Sequence, residues 1–340
     1  MEDNITASPN ITSTSETGPF VDWVKNCELA LGIIGSIGNI LVCIIVLGSK
    51  YMKSMTNYFI MSLAVADGWT SLLLIFNRYL LSAVTVVYPP GFAGVLYCRI
   101  WESQLLFWVG IKCSVFNLVA VTLERYFAIV HPFVYQQKFT AKTAAIMIGA
   151  TWGISFFSEI QFVFFHDFTT VDGVRACQFS WPNKSASVIV GVVSFLSTYL
   201  IPIVIMFWCY FKIVKSLKNS AEQLTTNNAS AIDTGPAATL LHARKKVIRV
   251  LLVVMLAFTI CWTPNQFLFL FFNIGAPVEY DSVYYSFFVL LAFSNSVINP
   301  IIYAFKYKQF RRGFCEVFCP RWSGLNKVND TSFVATSAVP

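Results

Sequence analysis

The chain has 340 residues, of which 56% are hydrophobic and 12% charged, well below the ~25% charged usual for soluble domains, with a mean hydropathy of +0.64. That composition excludes a soluble globular core and is that of an integral membrane protein. The formal net charge of +7 would suit nucleic acid or an acidic partner, but the basic residues gather beside the ends of apolar segments, where membrane topology explains them, and nucleic-acid binding is set aside.

Residues 1–28 hold no apolar core of the kind a cleavable signal peptide needs, so the first span is expected to act as the targeting signal. Seven apolar stretches follow, at 29–49, 55–79, 100–131, 141–164, 187–211, 247–272 and 282–305, each near the roughly 20 residues that cross a bilayer. Lys50, Lys53, Lys138, Lys142, the run from Lys212 to Arg249, and Lys306 to Arg312 all fall on one side. The other side carries few basic residues, so it is expected to be extracellular, with the N-terminus outside, the C-terminus inside and the plasma membrane as the location. The sequons at Asn4, Asn10 and Asn183 lie on that outer side and are expected to be glycosylated, whereas those at Asn228 and Asn329 lie inside, where they would be idle. The organisation is thus an all-α membrane protein: a glycosylated N-terminus (1–28), a seven-transmembrane bundle (29–305), a short amphipathic eighth helix (306–319) and a disordered cytoplasmic tail (320–340). Between spans five and six, residues 218–246 are polar and read as a flexible loop.

The nine cysteines sort by depth. Cys43, Cys113, Cys209 and Cys261 lie within spans as small packing residues. Cys98, at the outer start of span three, and Cys177, in the loop after span four, both face an oxidising compartment and are expected to pair. Cys27 is left over. Cys315 and Cys319 follow a basic amphipathic segment just inside span seven, where cysteines are candidates for palmitoylation.

Polar residues within the spans carry the functional signal, because they are costly in lipid. Asp67 lies midway along span two, with Asn39, Ser114, Asn295, Ser296 and Asn299 at compatible depths in spans one, three and seven. The set suits either a structural hydrogen-bonded cluster or an oxygen-liganded sodium ion. Glu124-Arg125-Tyr126 closes span three, and prolines kink three helices: Pro202 in span five, Pro264 just after Trp262 in span six, and Pro300 in the run from Asn299 to Tyr303 in span seven.

Taken together, these motifs resemble the rhodopsin-like G-protein-coupled receptors over residues ~29–319, with a signature residue in each span: Asn39, Asp67, Arg125, Trp152, Pro202, Trp262 and Pro300. The resemblance implies that Arg125, released from Glu124, engages a heterotrimeric G protein, and that Trp262 is a toggle beneath the ligand pocket. It further implies that Tyr210 and Tyr303 swing inward on activation, and that Pro202, Val115 and Phe258 connect pocket to core. Asp67, Ser114, Asn295, Ser296 and Asn299 match the family's sodium site, the one cofactor considered. Phe310 to Phe314 resembles its eighth helix. Receptor kinases and arrestin are implied partners through Ser323, Thr331, Ser332, Thr336 and Ser337, and membrane lipids surround the bundle. Two departures stand out. Arg244 occupies the place where many members keep an acid that locks Arg125, and Cys98 lies two residues farther from Arg125 than is usual, so an outer bulge or longer turn is expected in span three.

Ligand class is read from the outer halves of the spans. Leu105, Leu106 and Phe107 stand where amine receptors carry aspartate, and Phe293 stands where light sensors carry lysine, which disfavours both classes. Arg78, Glu102, Gln104, Phe107, Asn265, Gln266, Phe269, Tyr280, Tyr284 and Tyr285 offer polar groups among aromatics, are the expected ligand-binding residues and suit a neuropeptide; a small-molecule ligand is the alternative. Arg78 either meets a ligand carboxylate or snorkels to headgroups. Lys112 and Glu159 are unexplained by the family. At about 1.5 Å per residue, Lys112 lies ~20 Å above Arg125 and Glu159 ~26 Å along span four from Lys142, so an interhelical salt bridge is expected. A transporter would show internal repeats, which are not seen. The three histidines, His131, His166 and His242, are too scattered for an enzyme's metal site or triad.

Overall fold

The structure, a computed structural model, describes residues 19–77, 88–171, 173–227, 236–279 and 282–319. Asn4, Asn10, Arg78, Tyr280 and the tail sites from Ser323 to Ser337 lie outside the described residues. Among the described residues, seven helical stretches are long and apolar enough to cross a membrane: Trp23–Gly48, Met55–Ile75, Phe92–Val130, Ala141–Phe165, Lys184–Gln223, Ile248–Asn273 and Val283–Lys306. In element terms, span one is α1 (Pro19–Gly48) and span two is α2 (Met55–Ile75). Span three combines α3 (Phe92–Leu96), a π-turn over Tyr97–Glu102 and α4 (Leu105–Val130). A short helix α5 (Pro132–Lys138) precedes span four, which is α6 (Ala141–Glu159) and a tight 3-10 turn to Phe165. Strands β1 (His166–Val171) and β2 (Val174–Phe179) form an antiparallel hairpin. Span five is α7 (Lys184–Phe195), a π-turn and α8 (Ile201–Asn227); α9 (Pro236–Asn273), α10 (Val283–Lys306) and α11 (Lys308–Phe318) complete the chain.

Local chemistry sets several starts. Ser54, Thr140, Asn183 and Ser282 cap α2, α6, α7 and α10, each accepting from a backbone N–H three residues on. The burial pattern is inverted relative to a water-soluble protein. Ile37, Leu47, Phe157, Phe211, Ile260 and Phe305 face outward, while Asn39, Asp67, Ser114, Asn117, Glu124 and Asn299 are buried. Between lipid-facing helices the hydrophobic effect gives no drive, so close approach depends on small residues and polar contacts. Gly35 is one such place: a Cβ there would run into the Ser71 side chain of α2 and lie 3.4 Å from Val297 of α10.

Span three is interrupted near its N-terminal end. The π-turn widens the helix, with Ser103 N–H donating to Cys98 O at 3.3 Å, and Gln104 then adopts a left-handed conformation (φ 53°, ψ 29°). It is the only non-glycine with positive φ among the described residues. This break falls in the segment where the longer Cys98-to-Arg125 spacing predicts a bulge. The Cys98–Cys177 disulfide, with Cα atoms 5.5 Å apart, ties the same segment to β2.

Two boundaries differ from the sequence expectation. The loop expected over 218–246 is largely helical: α8 continues to Asn227 and α9 begins at Pro236, leaving only 228–235 outside the described residues. Composition misleads there because the mixed, largely polar sequence of these helix ends gives no strong apolar run to mark them; Lys218 and Glu222, one turn apart, sit 3.9 Å from each other on α8. The hairpin is an addition that the hydropathy pattern does not announce. Beyond span seven, α11 lies against span one, where the Glu316 carboxylate accepts from Ser49 Oγ (2.6 Å) and the Lys50 N–H (3.0 Å).

Gly35→Val should therefore push α1 away from α2 and lower stability by about 1–3 kcal/mol, read as a reduced Tm of the purified protein. Gly149→Val, whose added carbon meets nothing within 4 Å, should leave Tm unchanged.

Candidate functional site

Three polar centres lie within the bundle. The first surrounds Asp67, which is fully buried. Ser114 Oγ donates to its Oδ1 at 2.7 Å, Ser296 Oγ to the same oxygen at 3.2 Å, and Asn299 Nδ2 to Oδ2 at 2.8 Å. Asn39 joins indirectly, donating to the Gly35 and Ser296 carbonyls at 2.9 and 2.8 Å. Asn295 is buried in α10, and its amide is not among the partners of Asp67. The Oδ1 atoms of Asn39 and Asn299 are buried without a hydrogen-bond partner among the described residues. A carboxylate, two hydroxyls and two unpartnered amide oxygens form a donor set that fits a small hard cation.

The second centre is at the opposite end of span three from the disulfide. The fully buried Glu124 carboxylate grips the Arg125 guanidinium through two bonds, Nε to Oε2 at 2.5 Å and Nη2 to Oε1. It also accepts from Thr56 Oγ1 at 3.1 Å and from Tyr135 Oη at 2.6 Å. Burial first, and then the Glu124 charge, raise the Tyr135 phenol above its ordinary value, so it stays a donor. Tyr126, the third residue of the motif, is turned elsewhere, with its hydroxyl 3.1 Å from His131 Nε2. Tyr307 donates to Asn57 Oδ1 at 2.9 Å, and burial pushes its phenol up to about 12. Thr56, Asn57, Tyr135 and Tyr307 escaped the sequence reading: each sits at a span end or in a connecting helix, where a hydroxyl or amide looks like ordinary solvated surface. Val115, Phe258, Trp262, Tyr210 and Tyr303 are all buried in the apolar core, Trp262 also lining the cavity described next, and Pro202 is buried in α8.

The third centre is a cavity of about 330 Å³ at the end of the bundle that carries the hairpin. Of the residues expected to bind ligand, Gln104, Phe107, Asn265, Gln266, Phe269 and Tyr285 line it, whereas Glu102 and Tyr284 do not. Phe107 and Phe293 close part of the wall edge to face, with ring centroids 5.5 Å apart. The hairpin side adds Phe179 and Trp181, which only the tertiary fold could bring there. Lys112 and Glu159 lie on the cavity wall and are joined, Lys112 Nζ to Glu159 Oε1, at 2.5 Å, with side chains 6% and 5% exposed.

Among the modification sites, Asn183 is exposed and its side-chain oxygen caps α7. Cys315 is half-buried, Cys319 exposed, and Cys27 half-buried and free. Arg244 belongs to α9, N-terminal to Trp262 and Pro264.

Residues 38–303 match the family described as 7 transmembrane receptor (rhodopsin family). The chain is 28% identical over 321 residues to the somatostatin receptor type 2 of Sus scrofa, covering 90% of this chain and 81% of that protein. It is 28% identical over 295 residues to the substance-P receptor of Aquarana catesbeiana, covering 85% and 68%. It is 29% identical over 340 residues to the allatostatin-A receptor of Bombyx mori, covering 94% and 87%.

The buried ion pair generates an asymmetric expectation. Lys112→Met alone strands a buried carboxylate and should cost about 3–5 kcal/mol, whereas Lys112→Met with Glu159→Gln removes both charges and should recover most of the loss. Cell-surface abundance and Tm of the purified variants measure both; a single variant as stable as the unmodified protein would contradict the pairing.

Proposed function

The chain belongs to the rhodopsin family of seven-transmembrane receptors, and from that membership we propose that it is a receptor that converts binding of an extracellular peptide into activation of a heterotrimeric G protein. The observation that carries the reading is the column of buried groups on span three: an outer cavity at Phe107, the Asp67–Ser114 cluster below it, and the Glu124–Arg125 pair at the inner end. A ligand that binds one arrangement of this column better than another shifts the population between them. In the shifted state α9 swings outward about Pro264 and Arg125 leaves Glu124 to meet the G protein. The protein is a multi-pass membrane protein and not an enzyme.

A peptide is favoured because the similar receptors are named for peptides, somatostatin, substance P and allatostatin-A, and because the cavity joins amide side chains with aromatic walls. Leu105 to Phe107 and Phe293 supply neither the aspartate of amine receptors nor the lysine of light sensors. A non-peptide small molecule is the second reading, favoured by the modest cavity volume of about 330 Å³. The N-terminus is outside and the C-terminus inside, by the distribution of Lys and Arg. Asn4, Asn10 and Asn183 carry glycans, Cys315 and Cys319 carry palmitoyl chains, and the Ser and Thr of the tail receive kinases and then arrestin. A sodium ion at Asp67, held with Ser114, Ser296 and Asn299, favours the resting arrangement. With Arg244 in place of an acid, that arrangement is held less tightly, and basal signalling is raised.

A library of neuropeptides screened by agonist-dependent nucleotide exchange should yield an activator, and Arg125→Ala should abolish exchange while leaving agonist binding within about threefold, ~0.65 kcal/mol. Activation by small molecules with no peptide response would overturn the ligand class. Raising sodium should weaken agonist affinity, and Asp67→Asn should remove that dependence. Basal exchange no higher than in receptor-free membranes would count against the role given to Arg244.

A further inference from the structure

Lys112 and Glu159 are the only charged side chains among the described residues that line the cavity, and they are locked to each other, so the charged part of the wall is neutral as a whole. The pair is unsaturated in hydrogen bonds. An ammonium has three donors and a carboxylate two acceptor oxygens, yet among the described residues their one contact is with each other, Nζ to Oε1. Three further residues of the same cavity are buried with an unused polar atom. The Thr198 hydroxyl, the Trp262 indole N–H and the Gln266 side-chain carbonyl have no hydrogen-bond partner among the described residues, and the three residues are only 5%, 4% and 8% exposed. Buried groups of this kind are normally satisfied. The cavity therefore offers unused donors (Trp262 N–H, Lys112) and unused acceptors (Gln266 Oε1, Glu159) within a site of zero net charge.

We propose that this cavity takes a neutral primary carboxamide, as the amidated C-terminus of a peptide presents it, in preference to a carboxylate or an ammonium group. The proposal rests on the peptide reading and narrows it. A carboxamide carries an acceptor and two donors on one carbon. Its oxygen accepts from Trp262 and Lys112, and its N–H groups donate to Gln266 and Glu159. A carboxylate offers Gln266 and Glu159 nothing and places a second anion beside Lys112. An ammonium mirrors that fault by placing a second cation beside Glu159. In either case a charge is buried without its own counter-charge, the costly outcome in a low-dielectric site. The aromatic walls at Phe107 and Phe269 cover the apolar body that carries the group.

The test uses the purified full-length receptor and three probes: N-acetylphenylalaninamide, N-acetylphenylalanine, and the methyl ester of N-acetylasparagine, which carries its amide on a side chain. Concentration-dependent thermal stabilisation gives an apparent Kd for each. The amide should bind about tenfold more tightly than the acid, ~1.4 kcal/mol. Glu159→Gln frees Lys112 to pair with the ligand, so it should reverse the order. Gln266→Met, which keeps the bulk and removes the acceptor, should bring the amide down to the level of the acid, and it keeps the test open where Glu159→Gln fails to fold. Equal or tighter binding of the acid to the unmodified receptor, or an amide preference untouched by Gln266→Met, would overturn the proposal. Tighter binding of the asparagine ester would overturn the terminal placement. Peptide activators that work equally as acids and amides sink the carboxamide site and spare the peptide reading; amide-selective probe binding with no peptide activator does the reverse.

Discussion

In a lipid surround, a polar side chain pointing inward finds its partner in the protein or remains without one, and the bundle is organised around that constraint. Asp67, Lys112, Glu124 and Glu159 are each at most 4% exposed. Asp67 draws on three donors from spans three and seven, Glu124 on Arg125, Thr56 and Tyr135, and Lys112 and Glu159 on each other. Apart from Glu124–Arg125, which lies within α4, these contacts each join two helices, which apolar surface cannot do when lipid solvates it equally well. Polar satisfaction therefore takes the place that hydrophobic burial holds in a soluble domain.

Span three is the element on which these requirements converge. Reading from its N-terminal end, it carries the disulfide at Cys98, the left-handed Gln104, the cavity residue Phe107, Lys112 facing span four, Ser114 facing Asp67, and the Glu124–Arg125 pair. A small displacement of one helix is felt at every level, because packed interfaces rearrange between discrete states and do not deform continuously. The outer break fits this view. The π-turn and Gln104 set the direction of the outer segment, which the disulfide then ties to the hairpin.

Much of this was legible beforehand. Span number, Asp67 with its hydroxyl and amide neighbours, and the proline positions follow from a linear chain whose apolar runs match a bilayer. The Lys112 to Glu159 contact also follows, from depth counted at a fixed rise per residue and the antiparallel order of neighbouring spans. The readings that failed did so for specific reasons. The C-terminal part of α8 and the N-terminal part of α9 have a largely polar, mixed sequence, in which composition does not separate helix from loop. Glu102 and Tyr284 are absent from the cavity lining, and Glu102 lies in the π-turn just before the break at Gln104, where regular helical phase does not hold.

The sequence by itself determined the seven spans, the inward-facing polar residues and the family to which they belong, because lipid penalises an unsatisfied polar group whatever its neighbours and so leaves a mark on composition alone. Only the tertiary structure decided which of those groups meet. It brought Tyr135 from a connecting helix onto Glu124, Tyr307 onto Asn57, and Phe179 and Trp181 from the hairpin over the cavity. It also left Thr198, Trp262 and Gln266 with donors and acceptors unused among the described residues, in the cavity that the neutral ion pair lines. Those meetings depend on helix rotation and the path of loops in space, which a one-dimensional pattern of polarity does not contain.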